Sequence, residues 1–285
     1  MAWSLRSLPV LSEEQFDRWG KLFEERTGIQ IVFQQKSWLE SQVFARMREL
    51  QYEDYDDYFT FVSTGIEGKL EWNILADKVT IKETSFFRHR DSLEYVRQYL
   101  QQKIYNKSLS DNFDVWSVGC STGEEPYSLA MVLNDCYEFA SLDAYYGVTG
   151  MDISQTALNF ARKARYSKRR MELLKPVETR RYFVQCTDGS YEVIGKLRER
   201  VCFTQANIIN ARQLPDVKVD VIFCQNLLVY FRRWLRRDLL NALVDRLKPG
   251  GLLIVGLGEM VDWEHPNIQR TADDHVQAYL RVEPK

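Results

Sequence analysis

The chain has few residues of the types that build metal sites and disulfide frameworks. Its 285 residues include five cysteines and three histidines. No two cysteines form a C-x-x-C pair and their number is odd, which favours reduced thiols in the cytoplasm. The histidines His89, His265 and His275 lack the spacing of metal ligands. We therefore expect a cytoplasmic protein with free cysteines and no metal ion.

Long apolar runs are missing as well. No run approaches the ~18 residues of a membrane helix, and Pro9 interrupts the apolar stretch at the start, which argues against a signal peptide. The composition is 45% hydrophobic with a net charge of −2, as in an ordinary globular protein. We expect one large domain, or a domain plus a smaller one, and no membrane insertion.

The central stretch, residues 114–133, lacks the dinucleotide-binding fingerprint. Val115 to Val118 is typical of a buried strand, Gly119 and Gly123 bracket a tight turn, and a helix is predicted to Leu133. A strand, a glycine turn and a helix start make a small-molecule site, because backbone N–H groups there face the ligand. The spacing is Gly-x-x-x-Gly rather than Gly-x-Gly-x-x-Gly.

Acidic residues narrow the choice of ligand. Glu124 and Glu125 at the helix start would repel a pyrophosphate and suit a ligand with hydroxyls and a positive centre, such as S-adenosylmethionine. Asp152 ends a second predicted strand, where an acid accepts hydrogen bonds from ribose hydroxyls. NAD sites use the same geometry, so this acid by itself leaves both cofactors open.

The N-terminal part is predicted to be helical. Ser12 to Gln15 is a capping-box pattern, followed by apolar residues at helical spacing. A second helix is predicted around Trp38 to Met47, and a third near Tyr55 to Thr64, ending at Gly65. The second helix carries three basic residues, Lys36, Arg46 and Arg48. They either keep a packed helical cap soluble or meet an acidic partner, and spacing leaves both open.

The segment that joins the two parts, residues 82–88, is unusually aromatic for a loop. Phe86 and Phe87 either pack a hinge or lie beside a ligand. Thr84 and Arg88 next to them would suit an amino-acid carboxylate or an adenine, since arginine offers a bidentate fork to a carboxylate.

The segment 162–181 holds nine basic residues and two acids. Nucleic acid is one interpretation of such a segment, and a solvated helix face is the other. After it, short strands with the hairpin signal Asp188-Gly189 predict a small antiparallel insert, which we expect to include the strand from Val201.

The remaining chain alternates strands and helices. Val219 to Cys224 is predicted as a buried strand that ends at Gln225 and Asn226, where ligands collect in open α/β sheets. A helix from Phe231 to Leu247 follows, then a stop signal at Leu247–Gly251, a strand from Leu252 to Gly256, and a last strand, Val276 to Val282, that closes the sheet.

These pieces in this order resemble the chemotaxis-receptor glutamate O-methyltransferases, the CheR family, including members that serve pilus-driven surface motility. The resemblance spans essentially the whole chain. It is carried by Thr84-x-Phe-Phe-Arg88, Trp116-Ser-x-x-Cys-Ser-Thr-Gly-Glu-Glu-Pro-Tyr-Ser128, Asp152-Ile-Ser154, Asn207, Phe223-Cys-x-Asn-Leu-Leu-Val-Tyr-Phe231 and Leu247-Lys-Pro-Gly-Gly251.

The resemblance implies an α/β fold, a Rossmann-like S-adenosylmethionine-dependent methyltransferase sheet with an N-terminal helical domain and a small antiparallel β insert. We expect the helical domain at 1–77, the methyltransferase domain at 78–285 and the insert at about 180–204. The implied cofactor contacts are Lys82, Thr84, Arg88, Glu124, Asp152, Asn207, Ile208, Asn226 and Leu227.

The chain departs from the family pattern at three positions. The family usually has Asn where Lys82 stands, Arg where Gln225 stands and Ser where Gly258 stands. The loop Cys186 to Glu192 is short and not glycine-rich, unlike the loop that docks a receptor tail in some members.

The implied reaction is methyl transfer to a glutamate carboxylate, giving methyl esters on a chemoreceptor. A carboxylate is ionised at neutral pH, so no general base is required. Tyr230 and Arg88 are the expected catalytic residues, and Lys36, Arg46 and Arg48 are expected to bind the receptor's helical coiled coil. We expect a monomer that binds no nucleic acid. The alternatives are a cofactor-binding regulator without activity, or a methyltransferase acting on nucleic acid or a small acid.

Overall fold

The computed structural model describes residues 10–80, 83–214 and 216–283. Its contacts divide the chain into two units. The helical unit comprises Met1–Ile81 with Tyr230–Arg232, and the sheet unit comprises Lys82–Val229 with Arg233–Lys285. None of the described helices is long and apolar enough to cross a bilayer.

Within its described residues, the helical unit contains four α-helices around an aromatic core. As predicted, the first helix begins with a capping box, in which the Ser12 hydroxyl accepts from the backbone N–H of Gln15 at 3.1 Å. Trp19, Phe23 and Tyr58 are buried in the core. The helices are α1 (Glu13–Thr27), α2 (Lys36–Glu49), α3 (Tyr55–Ser63) and α4 (Gly65–Val79).

The fourth of these helices was not predicted. The third helix ends just before Gly65, as predicted, and Gly65, with φ +69°, begins α4. Trp72, Leu75 and Val79 recur at helical spacing on the buried side of α4. Burial of this face therefore supports a further helix after the glycine.

The sheet unit is built on a seven-stranded sheet with the strand order β6-β2-β1-β7-β8-β10-β9. The five strands from β6 to β8 are parallel, and β10 runs antiparallel to β8 and β9. The strands of the chain are β1 (Asn112–Val118), β2 (Tyr145–Asp152), β3 (Arg165–Tyr166), β4 (Phe183–Gln185), β5 (Tyr191–Val193), β6 (Val201–Gln205), β7 (Val219–Cys224), β8 (Leu247–Val255), β9 (Ile268–Arg270) and β10 (Gln277–Arg281).

Helices pack against this sheet. Leu129, Val132 and Leu133, predicted to recur on one helix, are all buried in its core. The helices of the unit are α5 (Arg90–Tyr105), α6 (Glu124–Phe139), α7 (Gln155–Lys163), α8 (Pro176–Tyr182), α9 (Gly195–Arg198) and α10 (Arg233–Val244). The predicted α/β fold, with helices preceding a largely parallel sheet, is confirmed.

The small antiparallel sheet has the order β3-β5-β4. The hairpin predicted at Asp188-Gly189 joins β4 to β5, with Gly189 at φ +80°. The strand from Val201, predicted to belong to this insert, is instead β6 and pairs in parallel with β2. The third strand of the small sheet is β3, which lies within the basic segment and has only two residues.

The C-terminal part differs from the prediction in two ways. The residues Leu247 to Gly251, taken as a stop, lie within β8, and the ladder between β7 and β8 shifts its register there. β10 does not close the sheet, because β9 pairs on its outer side. The first difference arises because strand pairing absorbs a Pro-Gly-Gly turn as an irregularity.

Candidate functional site

The carboxyl ends of the parallel strands bring the predicted cofactor residues to one edge of the sheet. β1 lies between β2 and β7, so the chain order reverses beside β1. Such a switch point is where open α/β sheets bind ligands. Asp152 is the last residue of β2, and the segments that follow β1, β6 and β7 contain Gly119, Asn207 and Asn226, respectively.

The glycine turn, residues 119–123, is shaped by close packing. The backbone N–H groups of Gly119 and Cys120 donate to the carbonyl of Met151, at 2.8 and 3.0 Å. Gly123 has φ +92°, and a Cβ there would lie 2.7 Å from Cβ of Ala161. The turn thus needs glycine at 123, both for its backbone conformation and for its approach to α7.

Asp152 ties the glycine turn to the end of β2. Its carboxylate accepts from the backbone N–H of Ser121 and of Ser154, each at 2.8 Å. The N–H of Ala206 donates to the Asp152 carbonyl at 3.0 Å, which brings the segment after β6 alongside. Asn207 and Ile208 therefore begin their 3-10 turn next to Asp152, and both are half-buried.

The carboxylate of Glu124, which is expected to contact the cofactor, is already engaged by other residues of the protein. Its side chain is fully buried, with an ion pair to Arg170. The Thr122 hydroxyl also donates to it at 2.7 Å, and the Arg170 guanidinium donates to that hydroxyl at 2.7 Å. A ligand's amino group can reach this carboxylate only if Arg170 moves away. No local sequence pattern indicates this pairing, because the partners are 46 residues apart.

The turn after β7 is held in an unusual conformation. Asn226 has φ +57°, and its carboxamide oxygen lies 2.6 Å from Nε2 of His89. The Glu259 carboxylate accepts from the backbone N–H of Leu228 at 3.1 Å and also from those of Asn226 and Leu227. His89 and Glu259 were not singled out from the sequence as site residues. Their roles depend on contacts across the sheet edge.

Leu227 joins this turn to the glycine turn. A Cβ placed on Gly119 would lie 3.1 Å from Cδ1 of Leu227, so the two segments are in contact. Gln225, where the family usually has arginine, is buried and donates to the Ser92 hydroxyl at 2.8 Å and to the Val255 carbonyl at 3.3 Å. Gln225 therefore brings no positive charge to this edge.

Burial shifts the pKa of two acids near the turn upward. Burial raises the pKa of Glu125 to about 8; the Ser117 hydroxyl, which donates to it at 2.6 Å, and the positive charge of Arg88 oppose this shift, and the charge of Glu259 adds to it. Burial likewise raises the pKa of Glu259, against the three backbone N–H groups that it accepts from. Both side chains lie at the carboxyl edge. Since position 225 is a glutamine, no arginine at that position lowers the pKa of either acid.

The two aromatic side chains of segment 82–88, Phe86 and Phe87, pack in the hydrophobic core. Phe86 is fully buried and meets Tyr166 and Phe183 edge to face, with ring centroids 4.8 and 5.2 Å away. The backbone N–H of Phe87 donates to the Ser128 hydroxyl at 3.0 Å. This packing places the segment beside α6.

The three polar residues of segment 82–88 differ in their exposure and in how far the structure describes them. Thr84 is half-buried, while Arg88 is exposed and donates to the Glu83 carbonyl at 3.0 Å. Lys82 lies outside the described residues.

Unpaired polar atoms show that the carboxyl edge is built to receive a ligand. Among the described residues, four buried side-chain atoms have no hydrogen-bond partner, and three of them follow β1, β7 and β8. Those three are Ser121 Oγ, Gln225 Oε1 and Glu259 Oε1. Buried polar atoms normally find a partner, so this edge fits a ligand rich in hydroxyl and amino groups. S-adenosylmethionine meets that description.

The three residues expected to bind the substrate differ in exposure and in their contacts. Arg46 is 8% exposed and pairs with Glu71, its Nη2 lying 2.6 Å from the carboxylate. The prediction that Arg46 presents an exposed charge to a partner is therefore wrong. Arg48 is exposed, and Lys36 is half-buried with Nζ 5.9 Å from the centre of the Phe33 ring.

Tyr230, expected at the catalytic centre, groups with the helical unit. Its carbonyl accepts from the backbone N–H of Gln30 at 2.8 Å. The role of its side chain stays a prediction.

Comparison with known proteins agrees with this site. Residues 14–80 match the family described as CheR methyltransferase, all-alpha domain, and residues 82–277 match the CheR methyltransferase, SAM binding domain. The chain is 29% identical over 252 residues to chemotaxis protein methyltransferase 2 of Vibrio cholerae, covering 88% of this chain and 86% of that protein. It is 29% identical to the chemotaxis protein methyltransferase of Escherichia coli, covering 88% and 85%.

A third relative is named for a different process. The chain is 28% identical to the probable biofilm formation methyltransferase WspC of Pseudomonas aeruginosa, covering 85% of this chain and 56% of that protein. The second family match covers well over half of the chain, and the site at the carboxyl edge fits its cofactor. The chain therefore belongs to the CheR family of S-adenosylmethionine-dependent methyltransferases.

Proposed function

We propose that this methyltransferase modifies glutamate side chains on the cytoplasmic signalling domain of a chemoreceptor, producing methyl esters for sensory adaptation. The observation that carries the proposal is the similarity to proteins named chemotaxis protein methyltransferase along most of both chains. The chain would act in the cytoplasm on a long helical coiled coil. A chemosensory system for surface behaviour fits equally, given the similarity to WspC.

The reaction makes modest chemical demands on the protein. S-adenosylmethionine supplies an electrophilic methyl group, and a glutamate carboxylate is already ionised at neutral pH. The protein's task is to exclude water and to align the carboxylate at roughly 3–3.5 Å from the methyl carbon. Glu125, with its pKa near 8, is mostly protonated at pH 7 and so does not compete as a nucleophile.

The cofactor contacts are proposed from the family resemblance and the site geometry. Asp152 would accept from the ribose hydroxyls, and Asn207 with Ile208 would lie beside the adenosine. Asn226 and Leu227 would frame the methionine arm, with Thr84 and Arg88 closing the site. Glu124 would join only after Arg170 leaves it. Lys82 is the ninth expected contact, and a binding measurement on a Lys82 variant would test it.

The receptor contacts are proposed for the cations of α2 that are not committed to a buried ion pair. Arg48 and Lys36 remain candidates, whereas Arg46 is committed to Glu71. Tyr230 is proposed to steer the receptor carboxylate through its hydroxyl.

The function is tested by transfer of tritiated methyl groups from S-adenosylmethionine to a purified chemoreceptor cytoplasmic fragment from the source bacterium. We expect labelled fragment that loses its methyl groups in mild base, as esters do. Asp152→Ala should weaken cofactor binding by about 1.5–3 kcal/mol, measured by calorimetry, because a hydrogen-bonded charge is lost. A base-stable product would indicate N-methylation, and label on RNA, DNA or a small acid instead of the fragment would favour the other substrate classes.

A further inference from the structure

The basic segment, Arg162–Arg181, contains cations that the fold does not use. Four of its nine basic side chains pair with acids or backbone carbonyls within the described part of the chain, among them Arg170 and Arg181. The other five are exposed, and their side chains form no ion pair within the described part of the chain. These five are Lys163, Lys168, Arg169, Lys175 and Arg180.

Hydrogen bonds and an ion pair hold this segment against the glycine turn of the proposed cofactor site. The Tyr166 hydroxyl donates to the Thr122 carbonyl at 2.8 Å, and Arg170 donates to the Thr122 hydroxyl and the buried Glu124. The Arg170 guanidinium also lies 5.0 Å from the centre of the Phe160 ring. Because Glu124 is fully buried, its charge requires this cation, and the 3-10 turn Lys168–Met171 is held against the glycine turn.

These contacts of Tyr166 and Arg170 determine where the five cations without an ion pair lie. Lys168 and Arg169 are two residues and one residue from Arg170, respectively, which is about 4–7 Å along the backbone. They therefore lie close to the glycine turn, which belongs to the carboxyl edge of the sheet. Leu173 and Val177 follow in the same segment and are 51% and 57% exposed.

We propose that Lys163, Lys168, Arg169, Leu173 and Val177 form a docking surface for the acidic helical face of the protein substrate. The proposal rests on the proposed function, in which the group to be methylated is itself a surface carboxylate. Cations beside exposed aliphatic side chains suit a protein partner, whose interfaces combine charged rims with apolar contacts. Nucleic acid fits less well, because the chain has a net charge of −2 and a pI of about 6.0.

The test compares two charge-reversal variants of the full chain. Lys168→Glu with Arg169→Glu alters the docking surface. Lys103→Glu with Lys107→Glu makes the same change in charge at the end of α5, which precedes the amino end of β1 and so lies toward the opposite edge of the sheet. Binding of the receptor fragment is measured by interferometry, methylation by tritium transfer, and cofactor affinity by calorimetry.

We expect the docking variant to lose roughly tenfold in fragment binding and in kcat/KM at low salt, with cofactor affinity unchanged, because rim charges act mainly on association. The difference should shrink toward about twofold at 0.5 M salt through screening. The control variant should match the wild type in all three measurements.

The outcomes separate this proposal from the proposed function. Equal fragment binding by the two variants overturns the docking surface, even where the wild type methylates the fragment. Fragment binding by the wild type without methylation overturns the proposed function, and the docking surface is then judged on binding alone. If the docking variant instead loses binding to a 30-nucleotide oligo(dT) or duplex probe while binding the fragment normally, the surface serves nucleic acid. A wild type that neither binds nor methylates the fragment overturns both proposals.

Discussion

At the scale of single residues, the contact between His89 and Asn226 explains how the turn after β7 presents its amide. The carboxamide oxygen of Asn226 only accepts hydrogen bonds, so Nε2 of His89 donates to it across 2.6 Å. With its oxygen engaged, the carboxamide directs its NH₂ group away from His89. A titratable ring thus orients a side chain that we propose frames the cofactor.

Substitutions that keep or remove the donor at position 89 test this arrangement. His89→Gln retains an N–H group of similar reach, so cofactor affinity should stay within about twofold of the wild type. His89→Glu offers only acceptors and forces the Asn226 amide to turn, which should weaken cofactor binding by about 1–2 kcal/mol. Calorimetry on folded variants measures both, and equal affinities for the two variants would contradict an orienting role.

At the scale of elements, α2 shows how a basic helix can hide one of its charges. Arg46 and Arg48 are two positions apart and therefore lie on nearly opposite sides of the helix. Arg46 points into the helical unit, where Glu71 raises the pKa of its guanidinium. The Tyr58 hydroxyl donates to the same carboxylate at 2.6 Å. The result is a buried charge network between α2, α3 and α4.

This network predicts unequal effects for two arginine substitutions. Arg46→Met leaves Glu71 as a buried carboxylate without its cation, which should lower the free energy of unfolding by about 3–5 kcal/mol. Arg48→Met changes an exposed side chain and should stay within about 0.5 kcal/mol of the wild type. Thermal unfolding followed by circular dichroism compares them.

A further variant shows whether the charge itself is responsible. Combining Arg46→Met with Glu71→Leu should recover most of the lost stability, since replacing a buried ion pair with apolar residues is often neutral. A double variant as unstable as the single one would attribute the effect to packing instead.

At the scale of the whole molecule, the carboxyl edge of the sheet contains polar groups that lower the stability of the fold and that a binding site requires. It holds buried acids and unpaired polar atoms, which a core would normally avoid. The folded protein keeps a proton on Glu125 up to about pH 8, whereas the unfolded chain releases it near the ordinary value of 4.5. Stability from this group is therefore fully present below pH 4.5 and is lost as the pH rises through 8.

Glu125→Gln should remove this pH dependence. We expect its melting temperature to exceed that of the wild type by a margin that grows from pH 5 to pH 8, reaching several degrees, because about 1 kcal/mol shifts Tm by ~2–4 °C in a domain of this size. Glu199→Gln, at an exposed position, is the control and should follow the wild type. A constant margin across this range would show that Glu125 is ionised in the folded protein.

The fold class follows from local patterns in the sequence, which also predict where the cofactor site lies. Local patterns carried this information: the buried run before Gly119, the capping box at Ser12, the hairpin at Asp188-Gly189 and the acid that ends β2. Each of these signals lies within a few neighbouring residues, where backbone geometry and hydrophobic period act directly. The family resemblance added the identities of the expected contacts.

Only the tertiary structure decided which side chains are free to act. The pairing of Arg46 with Glu71, of Glu124 with Arg170 and of Asn226 with His89 joins residues 25, 46 and 137 positions apart. The same holds for β6, whose short apolar pattern fits the small antiparallel sheet as well as the large parallel one. Burial and long-range partners set the charge, exposure and orientation of a side chain, and no local pattern in the sequence encodes them.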